Sequence, residues 1–262
     1  MAMTVRIGIA GIRGRMGSQI ATLAQGEADV ELIGGISRQI DDAAGGGEPR
    51  IVSDAMDLLP DVDVLIDFTT ADAVGAHATA CANVGVPLVC GTTGLDSDQA
   101  AALRAAAEKV AVFHAANMSP AVNAALAVLP LLVRALAGYD IEIVETHHRY
   151  KSDAPSGTAL ALARVAAEAS GESLAERAVY GREGACPRAA AEIGIHAVRS
   201  GGNPGEHAVI LAGDGEEIRL SHRSFNREAY AQGALRAARL IVSQPPGWYE
   251  PATLPGFLTA TE

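Results

Sequence analysis

The near-continuous apolar run Val5–Ala10 stops at Gly11-Ile12-Arg13-Gly14-Arg15-Met16-Gly17 and gives way to a stretch of helical periodicity. No other feature restricts the fold as much. A run of that kind lacks the alternation of a half-exposed strand, so it belongs in a sheet buried on both faces. Glycines at a strand-to-helix turn let the backbone approach a pyrophosphate, whose charge the helix N-terminus meets. The pattern then repeats. Apolar runs at 30–36, 64–67, 87–90 and 110–114 alternate with Ala-rich helical stretches at 15–25, 71–83 and 97–108. This alternation predicts an α/β fold with a Rossmann-type, doubly wound parallel sheet.

The character changes near Met118. Residues 120–137 predict a long apolar helix, 141–145 a strand and 160–169 a helix. Strand-like runs follow at 193–198, 207–212 and 217–221, separated by Gly201-Gly202-Asn203-Pro204-Gly205 and Asp214-Gly215. Both separators are turn signals, so mostly local, antiparallel pairing is expected, and with it a second domain. A last helix at 228–242 is free to return to either domain. Pro245-Pro246-Gly247 reads as loop and Gly45-Gly46-Gly47 as a flexible connection.

The 31 acidic and 20 basic residues leave a net charge of -11. That argues against sequence-independent phosphate contacts and hence against nucleic acid as a partner. Arg149, Lys151, Arg223 and Arg227 could still line a local basic pocket. No segment has the ~20 apolar residues of a membrane span, and the N-terminus lacks a signal-peptide layout. Cys81, Cys90 and Cys186 are odd in number and far apart. Neither a disulfide framework nor zinc is expected, and the reading is a cytoplasmic protein.

The glycine spacing departs from G-x-G-x-x-G because Arg13 stands where the second glycine is expected. Dinucleotide binding and a plain tight turn both fit the bare pattern; its place at the first strand favours the former. The second run ends in Ile36-Ser37-Arg38, where an NAD site usually has an acidic residue. A hydroxyl and a guanidinium suit the 2′-phosphate of NADPH, although Arg38 covering an adenine would serve NADH equally. Gly91-Thr92-Thr93-Gly94 and Ala115-Ala116-Asn117-Met118 follow two further strands, each a candidate cofactor loop or an ordinary turn. Asp67-Phe68-Thr69-Thr70 is placed similarly, with Asp67 a candidate helix cap.

The densest chemistry lies in Glu145-Thr146-His147-His148-Arg149-Tyr150-Lys151-Ser152-Asp153-Ala154-Pro155-Ser156-Gly157-Thr158. Histidine titrates near neutrality and suits proton transfer. Adjacent strand residues face opposite ways, so His147 and His148 should do different work. Lys151 can bind a carboxylate, with Arg149 a source of any lowered pKa. Ser156 is a candidate N-cap, placing the amides of Gly157 and Thr158 at an anion site. A polar rim is the plain alternative for tandem histidines. No acidic or cysteine partner stands at metal-ligand spacing, so no metal is expected. His77, His114, His196, His207 and His222 carry no motif and read as structural.

The chain closely resembles the 4-hydroxy-tetrahydrodipicolinate reductase family of bacterial lysine biosynthesis. The resemblance rests on the Gly-Arg-Met-Gly turn, Asp67-Phe68-Thr69, Gly91-Thr92-Thr93-Gly94, Ala116-Asn117-Met118-Ser119 and the whole of the Glu145 to Thr158 string. It implies a dinucleotide-binding domain of 1–118 plus 228–262, and a substrate-binding and oligomerisation domain of 119–227, an α+β unit with a mixed or antiparallel sheet. It implies a homotetramer built through that sheet, a small cyclic dicarboxylate substrate, and NADPH (preferred) or NADH as cofactor. By the same resemblance His147 and Lys151 are the catalytic pair, and His148, Gly157 and Thr158 are substrate contacts. Gly11, Ile12, Arg13, Gly14, Arg15, Met16, Ser37, Arg38, Gly91, Thr92, Thr93, Ala115, Ala116, Asn117 and Met118 are the implied cofactor contacts. Three places depart from the family pattern: Ser37 for an acid, Pro120-Ala121 for an apolar-Gly pair, and a shortened 39–53 segment.

Overall fold

The structure, a computed structural model, describes residues 4–40 and 49–259. The chain forms two compact units, one of Met1–Pro120 with Arg227–Glu262 and one of Ala121–Asn226.

The first unit begins β1 (Val5–Ala10), α1 (Arg15–Ala24), β2 (Val30–Ile36) and β3 (Arg50–Val52). It continues with β4 (Val64–Asp67), α2 (Ala71–Val84), β5 (Leu88–Cys90), α3 (Ser97–Ala107) and β6 (Ala111–His114). The apolar runs that lack alternation are the buried strands: every residue of β4 and β5 is buried. Each Ile, Leu or Val so enclosed contributes roughly 2 kcal/mol relative to exposure. On one side of the sheet Ile7, Ile9 and Ile66 pack with Ile20 and Ala24 of α1. On the other, Leu65, Leu88 and Val112 pack with Val74 and Cys81 of α2 and Leu103 of α3. Strand β3 was not expected from the sequence. The Gly45 to Gly47 run, and most of the shortened 39–53 segment, lie outside the described residues.

The second unit contains α4 (Pro120–Ala135), β7 (Asp140–His147), α5 (Gly157–Ala169), the short α6 (Leu174–Arg177), β8 (Ala178–Tyr180), β9 (Ile193–Arg199), β10 (Glu206–Ala212) and β11 (Glu217–Arg223). The sheet order is β11-β10-β7-β9-β8. The expectation of mostly local antiparallel pairing is corrected here. β10 and β11 do form a hairpin, but β9 and β10 are not partners. β7 lies between them, parallel to β9 and antiparallel to β10, and the sheet is mixed. The turn signal at Gly201 to Gly205 is a connection across the end of β7, because a glycine-rich loop closes either link. Ile141 and Ile143 of β7 and Ile193 and Ile195 of β9 face Leu129 and Val133 of α4 and Leu162 and Ala166 of α5.

The chain then returns to the first unit with α7 (Glu228–Ile241) and β12 (Gly247–Tyr249). β12 adds parallel to β6, completing the seven-stranded order β12-β6-β5-β4-β1-β2-β3. The 245–247 segment therefore enters a strand, which its prolines concealed. α7 packs tightly because its buried face is small: a Cβ at Gly233 would fall 1.7 Å from the Met118 carbonyl oxygen. The order reverses between β1 and β4, and ligands of open α/β sheets bind at the carboxyl ends of strands flanking such a reversal.

Candidate active site

At that reversal Gly11 adopts a φ of +78°, and a Cβ there would meet the Phe68 carbonyl oxygen at 2.6 Å. A Cβ at Gly17 would come within 2.1 Å of the Gly11 carbonyl oxygen. The turn thus holds β1, α1 and the loop after β4 closer than any side chain allows. Gly14 is the N-cap of α1, with no side-chain cap and no acid in the first turn. Exposed Arg13, Gly14 and Arg15 surround this helix start. Its amides and positive dipole end fit a pyrophosphate, so the residues present suit a nicotinamide dinucleotide.

The predicted cofactor residues fall into two groups. Arg38, Thr93 and Ala116 are exposed, and Ser37, Met16, Gly91 and Asn117 are half-buried. Ile12, Thr92, Ala115 and Met118 are buried. The Ile12 side chain fills the space over Gly35, whose Cβ would sit 2.5 Å from it. For these four only the backbone is left for a ligand. Ser37 Oγ accepts the Gln39 amide at 3.2 Å.

Asp67 is not a helix cap; Thr70 holds that position. Fully buried, its carboxylate accepts the Thr69 amide (2.9 Å), the Thr69 and Thr92 hydroxyls (2.6 and 3.0 Å) and a His77 Nδ1 contact of 2.7 Å. Burial pushes its pKa up, but these bonds outweigh it and hold the carboxyl below its usual range. Asp67 therefore ties the loops after β4 and β5 together. His77, which carries no sequence motif and reads as structural, here binds this carboxylate.

In the second unit the apolar face of β7 turns polar at its end. Ile141 and Ile143 are followed on the same face by Glu145 and His147. Glu145 is fully buried and accepts four bonds. Its Oε2 lies 2.5 Å from His147 Nδ1 and 2.8 Å from an Arg199 nitrogen. Its Oε1 accepts a second Arg199 bond at 2.8 Å and the Ser156 amide at 3.0 Å. Arg199 also donates to the Asp153 carbonyl at 2.6 Å. Burial raises the Glu145 pKa, yet Arg199, His147 and the Ser156 amide leave it net lowered. Burial also lowers the His147 pKa, with Lys151 and Arg199 adding to that and Glu145 opposing it.

α5 starts at Gly157, with Ser156 as its cap: the Ser156 hydroxyl accepts the Ala159 amide at 3.1 Å. Gly157 is exposed, with nothing within 4 Å of where its Cβ would be. Thr158 stands in the first turn, which has no acidic side chain. Helix start and imidazole are joined through Glu145. The Lys151 ammonium binds both oxygens of Asp153, at 2.8 and 2.9 Å. Arg149 is exposed, and the charge facing Lys151 is this carboxylate rather than the Arg149 cation expected. His148 follows the strand and its ring lies 6.3 Å from that of Tyr150. Within the same unit, the Arg223 side chain is 63 % exposed beside Glu206; Arg227 is the N-cap of α7 and belongs to the first unit.

Three residues at this site escaped the sequence reading. The sequence alone assigns Glu145 no role, offers nothing that marks Arg199, and leaves His207 reading as structural. His207 pairs across the sheet with Glu145, and its Nε2 lies 3.0 Å from Ser156 Oγ. The one available signal was the apolar alternation of β10, in which His207 occupies an inward position.

Burial, with His147 and His222 nearby, pushes the His207 pKa from 6.5 down to about 4. A histidine depressed on folding contributes stability that is complete above its unfolded pKa and is lost as pH falls towards the folded one. Roughly 3 kcal/mol should therefore disappear between about pH 6.5 and 4, and a His207→Gln variant should lose that much less. Denaturant titrations of both proteins at the two ends of the window test this. Equal acid losses in the two would contradict it.

A reversal-point glycine turn suited to a dinucleotide, in a chain that also carries an imidazole–carboxylate site, belongs to the class of nicotinamide-dependent oxidoreductases. Family comparison narrows the class. Residues 5–118 match the family model described as dihydrodipicolinate reductase, N-terminus, and residues 121–254 match its C-terminus counterpart. The 4-hydroxy-tetrahydrodipicolinate reductase of Rubrobacter xylanophilus is 44% identical over 94% of this chain and 96% of its own. That of Burkholderia multivorans is 42% identical over 94% and 97%. A dipicolinate-bound dihydrodipicolinate reductase from Paenisporosarcina sp. TG-14 superposes with a TM-score of 0.80 at 26% identity, covering 95% of this chain and 98% of that one. The chain belongs to the dihydrodipicolinate reductase family.

Proposed function

We propose that the protein reduces the cyclic unsaturated dicarboxylate on the diaminopimelate and lysine route, 4-hydroxy-tetrahydrodipicolinate with loss of its hydroxyl as water or its already dehydrated form, to tetrahydrodipicolinate. The observation that carries this is the joining of a buried imidazole to an uncrowded helix N-terminus through one carboxylate. The nicotinamide, when bound, supplies the hydride. His147 supplies the proton from Nε2, since Nδ1 is engaged by Glu145. Lys151 exchanges Asp153 for a substrate carboxylate and stabilises the charge that develops, or acts as the second proton source. Gly157 and Thr158 receive the other carboxylate at the start of α5, and His148 orients the ring. With nicotinamide deuterated at the transferred position, the product should carry a single deuterium. A product without it would rule the reaction out.

The preferred cofactor is NADPH, because Ser37 and exposed Arg38 follow β2 where no acid stands. Arg38→Ala should lower the NADPH to NADH ratio of kcat/KM about tenfold, the loss of one charge-assisted bond. An unchanged ratio would remove Arg38 from the selection. The protein acts in the cytoplasm as a homotetramer assembled through the second sheet. Supporting this, Val144, Thr146 and Ile210 are half-buried on the face opposite α4 and α5, and Val198 there is 42% exposed. The described residues contain no helix long and apolar enough to cross a membrane.

A further inference from the structure

Glu145 does more than close a strand end. Its two oxygens divide their work between two parts of the site: Oε2 faces His147 Nδ1, and Oε1 takes the Ser156 amide just ahead of Gly157. Arg199 reaches across from β9 and binds both oxygens, which keeps a fully enclosed carboxylate ionised. On the far side of the imidazole, Nε2 faces Gly205, where a Cβ would stand only 3.0 Å away. One nitrogen is thus fixed by a carboxylate while the other faces a residue with no side chain.

We infer that Glu145 is a positioning residue for the reduction: it holds the His147 proton on Nδ1, leaves Nε2 as the exchanging nitrogen, and fixes the imidazole relative to the helix start that receives the substrate carboxylate. This rests on the reading of His147 as the proton source. A purely structural ion pair would be satisfied by Arg199 and the Ser156 amide alone. It would make no demand on the imidazole.

The groups facing His147 set the sign of the test. They are Glu145 on its own strand, Arg199 from β9, His207 from β10 with His222 behind it on β11, and, from the following loop, Lys151, which is itself paired with Asp153. Of the charges that bear on it, Glu145 holds the imidazolium, whereas Lys151 and Arg199 oppose it. Delivery of a proton requires the imidazolium, so turnover falls as pH rises through the His147 pKa. Glu145→Gln removes the favourable charge and must move that fall to lower pH.

The experiment compares wild type and Glu145→Gln across roughly pH 4.5 to 8, which brackets a histidine held below its ordinary value and its further fall in the variant, with substrate formed in situ and saturating NADPH. The expected result is an alkaline limb displaced by about one pH unit or more, a kcat lowered ~100-fold, and unchanged nucleotide affinity. Wild-type turnover with an unmoved limb and unchanged kcat in the variant would overturn the role of Glu145 and leave the reductase reading standing. No turnover in the wild type would overturn the reading itself. If the variant does not fold or is too slow to profile, nitrogen-15 NMR of the wild-type imidazole decides. Neutral His147 protonated at Nδ1 supports the inference, and protonation at Nε2 overturns it.

Discussion

His147→Gln should lower kcat by at least ~100-fold while leaving nicotinamide-nucleotide affinity nearly unchanged. Glutamine keeps much of the volume and can still bond Glu145, so the loss isolates the proton rather than the packing. The substitution lies in the Ala121–Asn226 unit, whereas the glycine turn and the strand-end loops belong to the other. None of the cofactor contacts implied for this family is His147, so binding of the nucleotide alone should not sense the change. A fall confined to kcat and kcat/KM for the substrate indicates an interaction made in the transition state. Adding Lys151→Ala should reduce turnover further. Near-normal turnover in the double variant would remove both residues from the chemistry, and a large loss of nucleotide affinity would mean the effect was not local.

Arg199→Leu should have the largest effect on stability. Glu145 is fully buried and Arg199 supplies two of its four bonds. Removing one partner of a buried pair strands the other, at a cost of about 3–5 kcal/mol. The pH dependence separates this from lost packing. With Arg199 present the Glu145 pKa is held down, so its contribution is complete above the ordinary carboxylate range and is lost as pH falls through the lowered value. Without Arg199 burial dominates, the carboxyl takes up a proton at higher pH, and the penalty of an unpaired charge is relieved. The stability gap between the proteins should be widest near neutrality and narrow in acid. Denaturant titration checks this, and a constant gap would show that Glu145 is not the source.

Most of the first unit was legible because strands buried on both faces write themselves as unbroken apolar runs. β1, β2 and β4 were expected over the residues they occupy. β3 and β12 were missed because neither short strand carries an unbroken apolar run, and β12 follows two prolines. Pairing in the second sheet was misjudged because a turn signal marks where the chain bends, not which strand it meets next. β9 and β10 are neighbours in sequence, but both pair with β7.

The site was legible where one short stretch carries it, from Glu145 to Thr158. What the sequence concealed was the support arriving from elsewhere. Arg199 lies 54 residues from Glu145, and Ser156 and His207 are 51 residues apart. Long-range contacts of this kind leave no periodic trace. An arginine at a strand end reads as a solvated charge, and a lone histidine on an inward position reads as core.

Reduction of a cyclic dicarboxylate by this chain with a nicotinamide nucleotide can be observed in solution. The most direct test follows the nicotinamide absorbance while pyruvate and aspartate semialdehyde are condensed in the presence of the protein and NADPH. The absorbance should fall only when the condensation product forms, and the fall should be abolished or at least ~100-fold slower with His147→Gln. No NADPH oxidation by the wild type, with the condensation product shown to be present, would contradict it.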